Sequence, residues 1–220
     1  MTDSDSAGQA NSQDLEQGSV AVSGGIYAVA YSTVHQYVPA LAFIDRNGNQ
    51  AAPSVALPYS AAGAPDWSRY VVVGATSKGF VTVYDGQIPA NDAGVAPTPG
   101  IGGLATFATP GADGGVVGTT VVIPGASPFN NQTGARSSSD LMGAGFALLT
   151  ADGKANFMYF SDDGTKHLGP AQVIQQMNAV QAADELHLMN YQGSFGISLF
   201  SNAEGRTRMA VSGCPAIVSN

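Results

Sequence analysis

The residues in this chain best equipped for chemistry stand together in one short segment, Asp66-Trp67-Ser68-Arg69-Tyr70. It holds the only tryptophan, a tyrosine, an acid and a base. An aromatic face with charge at its margin is what recognition of a sugar or another small ligand uses, the ring supplying apolar contact and the charged groups fixing orientation. Asp66, Trp67, Arg69 and Tyr70 are therefore the candidate ligand-binding residues, with carbohydrate or a partner protein as the expected ligand. The competing role for Trp67 is to fill space between packed sheets, since large aromatics mostly serve burial.

The remaining chemistry-bearing residues read as structure. Glycosidic cleavage needs two carboxyl groups about 5 to 9.5 Å apart, but Asp45, Asp85, Asp113, Asp162 and Asp163 recur where turns are expected, because aspartate bonds its own backbone there. Asp45-Arg46-Asn47-Gly48-Asn49 alternates oxygen-bearing side chains as a calcium loop would. Its glycine is out of place for an EF-hand and no glutamate follows at the twelfth position, so a turn with a glycine bulge suffices. His35, His167 and His187 lack paired metal-binding spacing, and Cys214 is alone, which excludes an internal disulfide and fits an inert buried thiol. There is no G-x-S-x-G and no phosphate loop, and Gly100-Ile101-Gly102-Gly103 has no strand and helix around it to make a dinucleotide site. No catalytic residue, metal ligand or cofactor is assigned. Asn131-Gln132-Thr133 is a glycosylation sequon within a long polar loop, 124–140.

Composition narrows the partners. With 8 basic residues, 16 acidic ones and a formal net charge of −8, the chain has no basic footprint for a phosphate backbone, so nucleic acid is excluded as a partner. No apolar run reaches the roughly 18 to 20 residues a spanning helix needs, so membrane insertion is not expected. The acidic stretch 1–19 has one large apolar side chain, Leu15, and reads as a disordered tail ahead of a single domain over 20–220. The module suits an extracellular or cell-envelope setting, or the cytoplasm if Met1 is the native start, because no basic stretch followed by an apolar one opens the chain.

What must position the candidate site is a repeat. Four segments share an apolar strand, a short polar turn, a second apolar strand and a glycine-containing turn: Tyr27 to Tyr31 with Ala40 to Ile44, Tyr70 to Gly74 with Phe80 to Tyr84, Phe146 to Thr150 with Phe157 to Phe160, and Leu186 to Asn190 with Phe195 to Phe200. Their anchors Phe43, Tyr84, Phe160 and Phe200 are 41, 76 and 40 residues apart, so the middle gap holds a fifth unit, Ala105 to Thr109 with Val116 to Ile123. With 28 Gly, 12 Pro and only 11% charged residues, units of about 40 residues predict an all-β, five-bladed β-propeller-like array. Val20-Ala21-Val22-Ser23-Gly24 echoes Met209-Ala210-Val211-Ser212-Gly213, and predicts that the N-terminal strand pairs with the C-terminal unit to close the ring. The alternative is a β-sandwich with one short helix over 171–183, where Ile174, Met177 and Val180 recur every three residues.

Phe157-Met158-Tyr159-Phe160-Ser161-Asp162-Asp163-Gly164-Thr165 resembles the hairpin of Asp-box repeats, Ser-x-Asp-x-Gly-x-Thr-Trp, found in sialidase-like and other secreted propellers. Ser161 and Asp163 match, whereas Thr165, His167 and Leu168 occupy the later Gly, Thr and Trp places. Ser201-Asn202-Ala203-Glu204-Gly205-Arg206 is a looser echo. The resemblance implies a propeller fold and no catalytic role, because in that family the box is a folding device. Sialidase chemistry there uses an arginine cluster on six blades, and of the five arginines here, Arg46, Arg69, Arg136, Arg206 and Arg208, several fall at turn-like positions, in an array of five units. Lectin propellers set an aromatic in every repeat, and Trp67 has no counterpart in the other units.

Together these observations favour a non-enzymatic β-propeller module that binds a ligand or partner, lectin-like forms included, through loops on one face. The rivals are a structural or assembly component of a virion or appendage, and an enzyme with a central-channel site, a lyase, hydrolase or cyclase using one acid and one tyrosine.

Overall fold

The computed structural model describes residues 19–32, 39–58, 71–87, 101–111, 114–122, 135–139, 143–149, 154–161, 172–176, 185–191, 194–201 and 205–212. Every regular element among them is a strand, and the strands fall into separate antiparallel meanders. The first sheet is β1 (Ser19–Ser23), β2 (Ile26–Ser32), β3 (Pro39–Asp45) and β4 (Gln50–Ala56), in that spatial order. The second is β5 (Val71–Ala75), β6 (Phe80–Gln87), β7 (Ile101–Gly111) and β8 (Gly114–Val122). The third is β9 (Ala135–Ser139), β10 (Gly143–Leu149), β11 (Lys154–Ser161) and β12 (Gln172–Gln176), and the fourth is β13 (Glu185–Tyr191), β14 (Ser194–Ser201) and β15 (Arg206–Ser212).

The first strands of successive sheets lie side by side, β1 against β5, β5 against β9 and β9 against β13, as the inner strands of a propeller do. The all-β propeller-like array expected from the repeat is therefore present. Four of the five sequence units are central or inner hairpins of the four sheets. The unit 105–123 supplies the outer pair of the second sheet, because β6 is in register with β7 along the whole length of β6, from Phe80↔Ala108 to Gln87↔Ile101.

Two expectations are corrected. Among the described residues the Val20 to Gly24 strand does not pair with the C-terminal unit: β1 pairs with β2, Val20 opposite Val29 and Val22 opposite Tyr27, because the two glycines after Ser23 fold it back at once. Gly24 and Gly25 have φ of +58° and +80°, the positive values that a two-residue hairpin requires at both positions. The period-three pattern over 171–183 is not helical where it is described, since Gln172–Gln176 is β12, hydrogen-bonded to β11. Period three in a segment this short is outweighed by the sheet edge it completes. Residues 177–183 lie outside the described residues.

Burial follows position in the stack. β5, VVVGA, is buried at every residue because sheets cover both its faces, whereas β1, SVAVS, alternates because one face is covered. Between the first and second sheets lie Ala28, Ala30, Leu41, Phe43, Val73 and Phe80; between the second and third, Val81, Val83, Phe146 and Phe160; between the third and fourth, Phe157, Tyr159, Phe195 and Ile197. Ring pairs cross two of these layers, Phe43 to Phe80 at 6.0 Å and Phe157 to Phe195 at 5.1 Å between centroids. Each layer also contains a glycine that leaves room for a neighbour's side chain. A Cβ on Gly74 would stand 2.7 Å from Ala144 Cβ and 3.0 Å from the Phe146 ring, one on Gly115 2.6 Å from Phe43, and one on Gly145 2.5 Å from Phe195.

Candidate functional site

The four predicted binding residues, Asp66, Trp67, Arg69 and Tyr70, lie outside the described residues, as do His35, His167, Cys214 and Asn131. The described strands do establish the frame that holds their segment. It belongs to the connection from the outermost strand of the first sheet, β4, to the innermost strand of the second, β5.

That connection shares one end of the array with other long ones. The Ser19 hydroxyl meets Val73, accepting from its N–H at 3.1 Å, and the Ser23 hydroxyl donates to the Thr76 carbonyl, so β1 and β5 run parallel. Within each sheet the neighbours are antiparallel. It follows that β1–β2, β3–β4, β5–β6 and β7–β8 turn at one rim, and β2–β3, β4–β5 and β6–β7 at the other. The first rim is tight. Gly24 and Gly25 make one turn, and in another the Thr76 hydroxyl accepts from the N–H groups of Lys78 and Gly79 at 3.2 and 3.1 Å. In a third, the Asp45 carboxylate accepts from the N–H of Asn47 at 2.8 Å, the N–H of Asn49 at 2.9 Å and the Asn49 side-chain amide at 3.3 Å. The backbone amide of Asn49, foremost, holds that carboxyl below the usual aspartate range. Its oxygens are committed to the turn, so the alternating Asp45, Asn47 and Asn49 form a backbone device, as the sequence suggested. At the opposite rim β2, β4 and β6 end and β3, β5 and β7 begin, and the chain between them runs over 33–38, 57–70 and 88–100, which are the long connections of both sheets in sequence. Long connections on a rigid scaffold are where binding residues concentrate.

The departure of 57–70 from the first sheet is fixed by side chains of the second. The Leu57 N–H donates to the Pro39 carbonyl at 2.8 Å, and Leu57 is buried in the layer between the two sheets. The Tyr84 hydroxyl donates to the Pro58 carbonyl at 2.8 Å. With its one proton spent there, Tyr84 accepts from Thr106 at 2.7 Å, and Thr106 in turn accepts from Thr120 at 2.8 Å. Three hydroxyls on three adjacent strands thus point their protons towards the root of the candidate segment. Tyr84 is fully buried, and burial pushes its pKa up to about 12, so it stays a neutral donor at neutral pH and acts as a positioning residue rather than a base. The repeat singled out Tyr84 as a strand anchor, but nothing in sequence links it to Pro58, Thr106 and Thr120, which meet it only through sheet pairing and packing. Among the described residues no group of three histidine, cysteine or acidic side chains comes together to hold a metal.

No family model and no curated protein sequence matches the chain. Solved structures do. The chain is similar to a GH43 protein, BlXynB of Bacillus licheniformis, of five-bladed propeller fold, with a TM-score of 0.50 at 12% identity over 89% of this chain and 39% of that one. It is also similar to the Trypanosoma rangeli sialidase solved with the inhibitor DANA, with a TM-score of 0.50 at 10% identity over 97% of this chain and 40% of that one. The fold is a β-propeller. At these identities the likeness concerns fold alone, and the chain spans about two fifths of the length of each neighbour. The expected Asp-box hairpin of this propeller follows β11, whose Phe157–Ser161 part is described, while its turn, 162–170, lies outside the described residues.

Proposed function

We propose that this propeller is a carbohydrate-binding module whose site lies on the long-connection rim, with Trp67 and Tyr70 as the aromatic contacts and Asp66 and Arg69 as the polar ones. A single observation carries the reading: the segment with these residues is rooted at Pro58 by a buried, directional hydroxyl chain from the next sheet. Anchored roots lower the entropy a loop loses when it closes on a ligand. The two propeller neighbours, one a GH43 protein and one a sialidase, support sugar as the ligand class over a partner protein. An extracellular or envelope setting is part of the same proposal.

The test uses the single tryptophan. A glycan array identifies a ligand, and titration of that sugar is followed by intrinsic fluorescence, which reports on Trp67 alone among indoles. Binding that shifts the emission and falls at least tenfold in Trp67→Ala, with an unchanged melting temperature, is expected. A sugar that binds with no emission change and equal affinity in Trp67→Ala places the site elsewhere. Release of reducing sugar from the bound glycan would favour the enzyme reading instead.

A further inference from the structure

The outward face of the fourth sheet gathers soft donor atoms that the sugar-binding reading does not use. Leu186 and Leu188 of β13 and Phe195, Ile197 and Leu199 of β14 pack towards the third sheet. The residues between them, His187 and Met189 on β13 and Gly196 and Ser198 on β14, therefore face away from it. Ser198 is paired with His187 on one side and with Met209 of β15 on the other, and directly paired residues share a face. His187, Met189 and Met209 thus stand on one surface. All three are exposed, Met189 at 59% and Met209 at 75%, so an ion from solvent can reach them.

The middle strand leaves room for them to converge. Gly74, Gly115 and Gly145 are each locked against an aromatic ring of the facing sheet, but a Cβ on Gly196 would meet only Met189, 3.2 Å from Cγ and 3.7 Å from Sδ. The Met189 thioether already leans over β14. His187 and Met209 flank Ser198 two strands apart, roughly 9.5 Å, and Met189 is two residues along β13 from His187, about 6.6 Å. Side chains as long as these, leaning inward from both flanks, meet above Gly196 and Ser198, whose own side chains are too short to fill the space.

The donor set selects its ion. Thioether sulfur is soft and polarizable, and with imidazole it suits Cu(I), whereas calcium and magnesium take oxygen ligands. The histidine distinguishes this face from a merely apolar one. A surface kept for hydrophobic contact gains nothing from an imidazole beside its methionines, but as a ligand the ring supplies the strongest donor of the three.

We propose that His187, Met189 and Met209 hold one Cu(I) ion over the middle strand of the fourth sheet. A ring nitrogen of His187 and the two methionine sulfurs are its ligands, and the set is open to solvent on its outer side. The site lies on a sheet face and is independent of the sugar-binding reading, which concerns the rim.

The test is Cu(I) titration of the full chain under argon with ascorbate, in competition with a chromogenic Cu(I) chelator. Cys214→Ser is the background, because a thiolate binds Cu(I) by itself. One equivalent is expected to bind, and Zn(II) is expected not to displace it. His187→Gln, Met189→Leu and Met209→Leu should each weaken binding at least tenfold, since even a supporting partner of a metal ligand is worth about 10- to 100-fold in affinity. Leucine nearly conserves the volume of methionine, and far-ultraviolet circular dichroism checks that each variant folds. X-ray absorption at the copper edge should show two sulfur neighbours and one nitrogen, with one sulfur lost in Met209→Leu. Absence of Cu(I) binding, unchanged affinity in any one of the three variants, or displacement of Cu(I) by Zn(II) would overturn the proposal.

Discussion

Gly145→Ala puts the glycine lock to a test in which two physical effects have opposite signs. In the interior of a strand, alanine is favoured over glycine by roughly 0.5 to 1 kcal/mol through backbone entropy, and Gly145 is not held at positive φ, so propensity alone predicts stabilisation. Packing predicts the reverse. The new Cβ would lie 2.5, 2.8 and 2.9 Å from three atoms of the Phe195 ring. That ring is fully buried and held by Phe157 at 5.1 Å and Tyr159 at 5.8 Å, so it has nowhere to withdraw. Overpacking a filled core costs about 1 to 3 kcal/mol, more than the entropic gain, and a net loss of about 1 to 2 kcal/mol is expected. Urea unfolding followed by circular dichroism would read this as a lower midpoint at unchanged slope. Gly196→Ala is the control, since its Cβ meets only the flexible Met189, and it should be neutral or slightly stabilising. Phe195→Leu combined with Gly145→Ala should lose less than the two separate losses together, because the smaller side chain relieves the clash. Equal or greater stability of Gly145→Ala would refute the argument, as it would show that the sheets slide apart freely at this layer.

Other consequences follow from particular side chains. Thr82 is fully buried with no hydrogen-bond partner for its hydroxyl, so Thr82→Val should raise stability by about 1 kcal/mol in thermal or urea unfolding; a loss would reveal a partner such as trapped water. Tyr84→Phe orphans the Pro58 carbonyl and should cost about 1 to 3 kcal/mol at neutral pH. The folded pKa of Tyr84, about 12, lies above the unfolded value of 10.0, so its contribution is intact below pH 10 and is lost as pH rises towards 12. Wild type should therefore lose on the order of 2 kcal/mol more over that window than Tyr84→Phe, and parallel alkaline profiles of the two would contradict this. Asp45, with its pKa lowered by the Asn49 amide, supports its turn above the usual carboxylate range and ceases to as pH falls through it. Protection of the Asn47 and Asn49 amides, taken against intrinsic exchange at the same pH, should fall in acid and in Asp45→Ala, and unchanged protection would show the turn to be held otherwise.

Local pattern was enough to place most of the strands. Alternation and β-branched runs found the hairpins around Phe43, Tyr84, Phe160 and Phe200, because side-chain period and turn chemistry act over a few residues and are written in consecutive positions. The turn role of Asp45 was legible for the same reason, its partners Asn47 and Asn49 being two and four residues away. Assignment of hairpins to sheets was not. The unit 105–123 looked like a sheet of its own, and only its pairing with β6 showed it to be the outer half of the second. Likewise β1 and β15 share a sequence pattern, yet the Gly24-Gly25 turn commits β1 to β2. The features that make a site or a surface of this propeller depend on residues far apart in the chain. Tyr84 reaches Pro58 across 26 positions, and Phe195 sits on Gly145 through the packing of two sheets. Such contacts are selected by the stacking of whole faces, in which any residue of the right size and period would read the same in sequence, so tertiary structure alone decided them.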